Sequence, residues 1–176
     1  DKKRYMANVS IAFDILPWLN VSGRAKVDNT NSIFTQKLYA SSNTTITEGS
    51  TQGHYTEIRN TDEQIYADVM VNINKTFADN KFSLVANVGA SINDTKSKEL
   101  SYRGPIREVG IPNMFTVFDL DKEKSRPQKY GWQEQTQSIF ASVEMGYKSM
   151  LYLTVTGRND WASQLAGSPQ RSFFYP

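Results

Sequence analysis

The chain has 176 residues, of which 39% are hydrophobic and 22% charged, and its formal net charge of +2 gives no support to a nucleic-acid-binding role. It has no cysteine, which excludes disulfide scaffolds, thiolate zinc sites and cysteine nucleophiles, and its single histidine, His54, lacks neighbours at metal-ligand spacing. A mean hydropathy of -0.53 and the lack of any apolar run near ~20 residues exclude a transmembrane helix but allow barrel strands, which need only ~9 to 11 alternating residues.

The amino-terminal half of the chain contains four runs in which apolar and polar residues alternate with a period of two. Such alternation is typical of a β-strand with one apolar and one polar face, and no long stretch follows the helical period. We predict strands near 4–13, 18–28, 64–75 and 81–93. Their apolar face carries Val9, Val21, Val69 and Val88, and their polar face carries Asn8, Arg24, Asp68 and Asn87.

Two further alternating runs follow in the carboxyl-terminal part, near 135–147 and 150–160. The apolar positions of these runs include Val143 and Leu153, and Glu144 lies on the opposite face. The polar positions of the last run read Tyr152, Thr154, Thr156, Arg158 and Asp160. A face this polar meets water, so the apolar face meets either a protein core or lipid.

The connections between the six predicted strands alternate between short and long. Short turns are predicted at 14–17, 77–80 and 148–149, and long or open-ended loops at 29–64, 94–134 and 161 onward. Because antiparallel strands place successive connections at opposite ends of a sheet, all short turns should lie at one end and all long loops at the other. This asymmetry is typical of an outer-membrane β-barrel.

Aromatic residues flank the three short turns in pairs: Phe13 with Trp18, Phe77 with Phe82, and Tyr147 with Tyr152. A belt of rings at one level is what a membrane-interface girdle requires. The alternative is that aromatic residues simply favour strand ends and sheet cores. The girdle agrees with the alternating loop lengths, and we favour it for that reason.

The predicted fold class is all-β: an antiparallel transmembrane β-barrel segment of about six strands in three hairpins. A soluble β-sandwich, such as a carbohydrate-binding or adhesin module, has the same alternation and stays open as the alternative. The loop lengths favour the barrel. Since the smallest known barrels have about eight strands, six cannot close one, and we expect the segment to belong to a larger chain or to pair with other chains.

The run QSIFASVEMGYKSMLYLTVTGRNDWASQL, residues 137–165, closely resembles the barrel segment of SusC/RagA-type TonB-dependent outer-membrane transporters. In that family a Ser-Phe-Ala strand, a Gly-Tyr-Lys turn and a Thr-Xaa-Arg-Asn-Asp-Trp-Ser/Ala strand end follow one another. They are matched here by Ser138–Ala141, Gly146–Lys148 and Thr156–Ala162. The trailing SFFYP resembles the family's entry to the next strand. Earlier stretches also resemble the family in the right order: WLNVSGR (18–24), NINKTF (72–77), LVANVGAS (84–91) and GIPNMF (110–115).

The resemblance implies that residues 1–176 are part of a barrel domain of about 22 strands, whose plug and TonB box lie outside this sequence. It implies import of glycan or oligopeptide nutrients across the outer membrane of a Gram-negative, Bacteroidetes-like cell. The implied partners are a SusD-like lipoprotein, TonB acting through the missing amino-terminal part, the rest of the barrel, membrane lipid and the substrate.

The loop GPIREVGIPNMF, residues 104–115, is unusually apolar for an exposed segment. It either folds over the barrel mouth onto a plug or lid, which we favour, or buries its apolar residues against itself. We assign substrate binding or plug and lid contact to Tyr102, Ile111, Met114, Phe115, Trp132, Arg158 and Asp160. Arg158 and Asp160 occupy alternate positions ~7 Å apart, so mutual pairing is the simpler expectation for them. No Ser/His/Asp, Cys/His or phosphate-loop arrangement is present, and we expect no catalysis, metal or cofactor.

Overall fold

Seven strands form one sheet in the computed structural model, which describes residues 1–167 and 172–175. The strands lie side by side in chain order, each hydrogen-bonded to its neighbour along the chain. They are β1 (Lys2–Leu16), β2 (Leu19–Tyr39), β3 (Gly53–Phe77), β4 (Phe82–Pro105), β5 (Gln128–Tyr147), β6 (Leu151–Ala162) and β7 (Ser172–Tyr175). Two single-turn 3₁₀ helices cover Val117–Asp119 and Ser163–Leu165. Within the described part of the chain, no helix is long and apolar enough to cross a membrane.

The six predicted strands are present, and the all-β antiparallel fold class is confirmed. Three of the strands are far longer than predicted, since β2, β3 and β4 contain 21, 25 and 24 residues. The predicted loops 29–64 and 94–134 are therefore wrong in extent, because the connecting segments are only 40–52 and 106–127. A seventh strand, β7, covers most of the SFFYP motif, whereas Pro176 lies outside the described residues.

The extensions of β2, β3 and β4 carry polar residues on both faces, which removes the period-2 signal without interrupting the backbone ladder. Side chains of neighbouring strands bond to one another there. Thr61 Oγ1 donates to Asn31 Oδ1 over 2.9 Å, and Ser97 Oγ donates to Asp62 Oδ1 over 2.6 Å. Strands of this kind are stable as parts of a sheet but have no hydrophobic pattern from which to predict them.

The chain divides into two compact units. The loop unit consists of residues 1–5, 29–63 and 96–132, and it contains both long connections. The turn unit consists of residues 6–28, 64–95 and the described part of 133–176, and it contains all three short turns. Short and long connections are thus separated between the two units, as the alternating loop lengths predict.

The short turns of the turn unit occupy 17–18, 78–81 and 148–150, close to their predicted positions. Lys148 and Ser149 both have positive φ, 48° and 55°, and the N–H of the residue that follows them donates to the Tyr147 carbonyl over 3.0 Å. This geometry defines a type I′ turn, whose backbone twist matches that of the flanking strands. The second and third turns are neighbours, because the Lys148 N–H donates to the Lys81 carbonyl over 2.7 Å.

Within the turn unit, the two faces of the sheet differ in chemistry. Val143 lies opposite Val155 in the β5–β6 register, and directly opposed residues share a face. The other face is held by polar contacts such as the Arg24–Asp68 ion pair, with a 3.0 Å nitrogen–oxygen distance. The apolar side chains are exposed, and the described residues form no second sheet to cover them. The predicted division of faces is confirmed, while the second layer that a sandwich requires is not found in the described residues.

Three rings of the predicted girdle form a row on the apolar face. Phe77 stacks on Phe82 with 5.7 Å between ring centroids, and Phe82 contacts Tyr147 at 5.0 Å. Tyr152 does not belong to this row, because it lies opposite Gly146 on the polar face. The prediction that Tyr152 joins the girdle is therefore wrong. Tyr147 lies opposite Leu151, which is four positions later in the chain. Tyr152, five positions later, therefore faces the other way.

The loop unit has a small core of its own around Ile106, whose exposed fraction is 1%. Ile106 forms an isolated β-bridge with Leu120 and donates its N–H to the Gly53 carbonyl over 2.9 Å. Gly53 has a φ of 114°, and a Cβ there would come within 2.6 Å of the Leu38 carbonyl oxygen, so glycine is required. The connection 106–127 is therefore packed onto its unit where it begins.

Candidate functional site

Phe115, one of the residues assigned from the sequence, packs on aromatic side chains of the loop unit. Its ring makes an edge-to-face contact with Tyr39, with 5.1 Å between centroids, and lies 6.3 Å from Tyr55. Asn113 fixes this stretch of the connection, because its amide oxygen accepts a hydrogen bond from the Ala40 N–H over 2.8 Å. Phe115 thus contributes to the packing of its own unit.

Other apolar residues of the same connection point into solvent. Ile111 and Met114 are 64% and 39% exposed. Val109 and Phe118 are 97% and 88% exposed, although neither was among the assigned residues. The signal that led to Ile111, apolar side chains in a surface segment, was also available for these two. We call Val109, Ile111 and Phe118 the exposed loop residues.

Polar contacts hold this part of the connection in place. Arg107 pairs with Asp119 at 3.1 Å. Thr51 donates two hydrogen bonds to the Glu108 carboxylate, from its N–H over 2.8 Å and from its hydroxyl over 2.7 Å. These hydrogen bonds lower the pKa of the Glu108 carboxyl. A loop that is already ordered loses little conformational entropy when it contacts a partner, so this one is suited to binding.

Tyr102 lines a cleft of about 340 Å³ in the loop unit. Leu120 and Val117 form part of its apolar wall, and Arg103 and Arg126 also line it. A second cleft of about 370 Å³ shares the same two arginines. Its other charged residues are Glu48, Glu99 and Lys124. Tyr102 is thus an assigned residue that the structure places at a cleft.

The remaining assigned residues lie elsewhere. Trp132 is on β5, where it is 51% exposed. Arg158 and Asp160 belong to the turn unit, and Arg158 Nε donates to Asp160 Oδ1 over 2.8 Å. The guanidinium also donates to Ser138 Oγ over 3.1 Å. Their expected pairing is confirmed.

A polar chain that sequence analysis missed runs along alternate residues of β3. Tyr55 donates its hydroxyl to one oxygen of Glu57 over 2.6 Å, and Arg59 Nε donates to the other oxygen over 2.6 Å. Burial raises the pKa of Tyr55 to about 12, and the hydrogen bond to Glu57 adds to the effect. The same hydrogen bond lowers the pKa of Glu57. The Tyr-x-Glu-x-Arg spacing was the available signal, and the chain of contacts orders this strand face.

The single histidine, His54, is buried, with Nε2 at 3.4 Å from Glu48 Oε1. Its Nδ1 is also buried and has no hydrogen-bond partner among the described residues. Across residues 1–167 and 172–175, no three His, Asp or Glu side chains come together as a metal site would require.

The fold is that of a β-barrel wall segment: neighbouring strands follow chain order, short turns and long connections belong to different units, and one face of the turn unit is apolar.

No family model matches the chain, and no curated protein matches it in sequence. Solved structures do match its fold. The chain is similar to the RagAB peptide transporter, with a TM-score of 0.77 and 19% identity. It is also similar to the RagAB peptide importer in its open-open state (TM-score 0.74, 18% identity) and its closed-closed state (0.72, 19%). Each match covers 98% of this chain and 19% of the other, so the chain spans about a fifth of that length.

Proposed function

We propose that this chain is part of the wall of a TonB-dependent outer-membrane importer that takes up peptides. The observation that carries the proposal is the fold match, which covers 98% of the chain at a TM-score of 0.77. The matching protein is described as a peptide transporter, and the motifs in residues 137–165 resemble the same class of transporter. Of the two substrate classes expected from the sequence, this favours peptides over glycans.

The chemistry of the turn unit supports a place in the membrane. Exposed side chains such as Val9 and Val155 form an apolar face that water would solvate poorly, at roughly 25 cal/mol per Å² of apolar surface. Lipid removes that penalty, and the polar face then lines the lumen of the barrel. The row of Phe77, Phe82 and Tyr147 is suited to the membrane interface. The membrane would be the outer membrane of a Gram-negative, Bacteroidetes-like cell.

We assign a partner to the loop unit. The exposed loop residues would contact a SusD-like lipoprotein that closes over the importer, since apolar side chains held in an ordered loop gain from burial against a second protein. The TonB contact and the plug would be supplied by parts of the transporter outside this sequence. The chain would act as wall and docking surface, a role that requires no catalytic group or cofactor.

The function is tested by removing the importer from its host. Cells without it should fail to grow on peptides as sole nutrient, while growth on free amino acids stays normal. Loss of growth on a glycan, with normal growth on peptides, would show that the substrate class is wrong. Normal growth on both would contradict an importer of either kind.

The docking role is tested with the triple variant Val109→Ser, Ile111→Ser, Phe118→Ser in the complete transporter. We expect normal abundance in the outer membrane but loss of lipoprotein co-purification and of growth on peptides. Ile46→Ser is the matched control, because Ile46 is an exposed apolar residue (55%) of the other long connection. Normal co-purification of the triple variant would show that the loop is a tolerated surface segment.

A further inference from the structure

We propose that Arg103 and Arg126 bind the terminal carboxylate of a peptide whose last side chain is apolar. This inference rests on the proposed function and names a recognition site within it. The observation behind it is that the two clefts of the loop unit share these two arginines. The cleft lined by Tyr102 and Leu120 would accept the apolar side chain, and the cleft lined by Lys124 would accept the preceding backbone.

The two arginines are free to bind an anion. Four other arginines each pair with a carboxylate: Arg24 with Asp68, Arg59 with Glu57, Arg107 with Asp119, and Arg158 with Asp160. The side chains of Arg103, Arg126 and Lys124 make no ion pair or hydrogen bond with the described residues, although the Lys124 backbone N–H donates to Asp121 Oδ1 over 3.4 Å. A guanidinium binds a carboxylate through two parallel N–H donors. A carboxyl-terminal amide is neutral, so it lacks the negative charge that strengthens this contact.

Several buried polar atoms of the loop unit have no partner within the described residues. His54 Nδ1, Thr56 Oγ1 and Asn60 Oδ1 are buried and unpaired within the described residues. They occupy alternate positions on β3, on the strand face that Ile58 presents to the second cleft. Buried polar groups are nearly always hydrogen-bonded, so such a group of exceptions calls for a partner. The N–H and C=O groups of an extended peptide supply both donors and acceptors.

The first cleft repeats this arrangement. Ser125 lies between the two cations Lys124 and Arg126 in sequence, and its buried hydroxyl oxygen has no partner in the described part of the chain. In the first cleft the shared arginines and Lys122 outnumber the one carboxylate, Asp121, so the net charge there attracts the peptide carboxylate. The glutamates of the second cleft would accept N–H donors of the peptide backbone.

The test measures binding of a short synthetic peptide that ends in leucine, as the free acid and as the carboxyl-terminal amide, to the purified complete transporter. The free acid should bind about 10- to 100-fold more tightly, the range expected for hydrogen bonds to a charged group. The double variant Arg103→Gln, Arg126→Gln should lose this preference, because its affinity for the free acid falls while its affinity for the amide stays the same. The matched control Arg59→Gln, which breaks an ion pair elsewhere in the loop unit, should retain it.

A second variant guards against misfolding. Arg103→Lys with Arg126→Lys keeps both charges but not the planar fork, and should retain part of the preference for the acid. If the wild-type transporter binds the free acid and the amide equally well, the proposed carboxylate site is contradicted, while the proposed peptide import is not. If it binds neither peptide, both the site and the proposed function are contradicted.

Discussion

Replacing Val155 with arginine should destabilise the barrel far more than replacing its neighbour Thr154 with arginine. The two residues are adjacent on β6 and face opposite ways, since Val155 lies opposite Val143 and Thr154 lies opposite Glu144. Using the same new residue at both positions keeps the added charge and bulk constant. The comparison therefore isolates the difference between a face that meets lipid and a face that meets water.

The magnitude follows from the position of Val155 in the turn unit. Val155 is four residues beyond Leu151, which is about 13 Å along a tilted strand at ~3.3 Å per residue. This distance places Val155 near the middle of an apolar band about 25 Å tall. Arginine on the lipid face at this depth costs about 2 to 4 kcal/mol. At about 1.4 kcal/mol per tenfold, the folding equilibrium changes by about 30- to 1,000-fold. Arginine at Thr154 would lie beside Glu144, whose carboxylate already accepts the Thr154 hydroxyl over 3.2 Å, so its effect should stay within about 0.5 kcal/mol.

The assay is urea unfolding of the complete transporter in phospholipid vesicles, with wild type and both arginine variants measured side by side. Val155→Met controls for size, and should be nearly neutral because it stays apolar. Equal losses at Val155 and Thr154, or a larger loss at Thr154, would refute the assignment of the faces to lipid and lumen.

Two further predictions concern packing and titration. A Cβ at Gly89 would come 2.6 Å from the Phe140 ring, so Gly89→Ala should cost about 1 to 3 kcal/mol and be partly rescued by Phe140→Leu. Gly23→Ala, where the nearest atom would be at 3.6 Å, is the control, and equal losses in both alanine variants would contradict the contact. Because the folded-state pKa of Tyr55 is about 12 and the ordinary value is 10.0, the unfolded chain releases this proton first. Tyr55 therefore stabilises the fold fully below pH 10 and progressively less toward pH 12. Tyr55→Phe should remove that part of the pH dependence of unfolding, and an unchanged alkaline slope would show that other groups cause it.

The strands of the turn unit could be predicted because one of their faces is apolar. Opposed residues such as Val143 and Val155 give a period of two that survives without any structural information. The strand extensions in the loop unit could not be predicted, because pairs such as Asn31 with Thr61 place polar groups on a face that would otherwise be apolar. Backbone hydrogen bonds maintain those strands, and these bonds cannot be predicted from the pattern of hydrophobic residues.

The candidate site was less accessible from sequence than the fold. Apolar content pointed to the connection that holds Ile111 and Phe115, but it could not distinguish a ring packed on Tyr39 from a side chain in solvent. Tyr102, which the sequence assigned to substrate binding or plug and lid contact, lines a cleft, whereas its neighbour Arg103 lines the same cleft but gave no signal. An unpaired arginine is recognisable only when the positions of all nearby carboxylates are known.

Each strand of the sheet pairs with the strand next to it in the chain, which governs how the sheet can assemble. Contacts between chain neighbours have low contact order, so closing each hairpin loses little chain entropy and formation can be fast. A finished hairpin presents a free edge of N–H and C=O groups, which is a template for the strand that follows. The sheet can therefore grow strand by strand from any of its short turns, and each added strand only moves the reactive edge outward until a closed ring removes it.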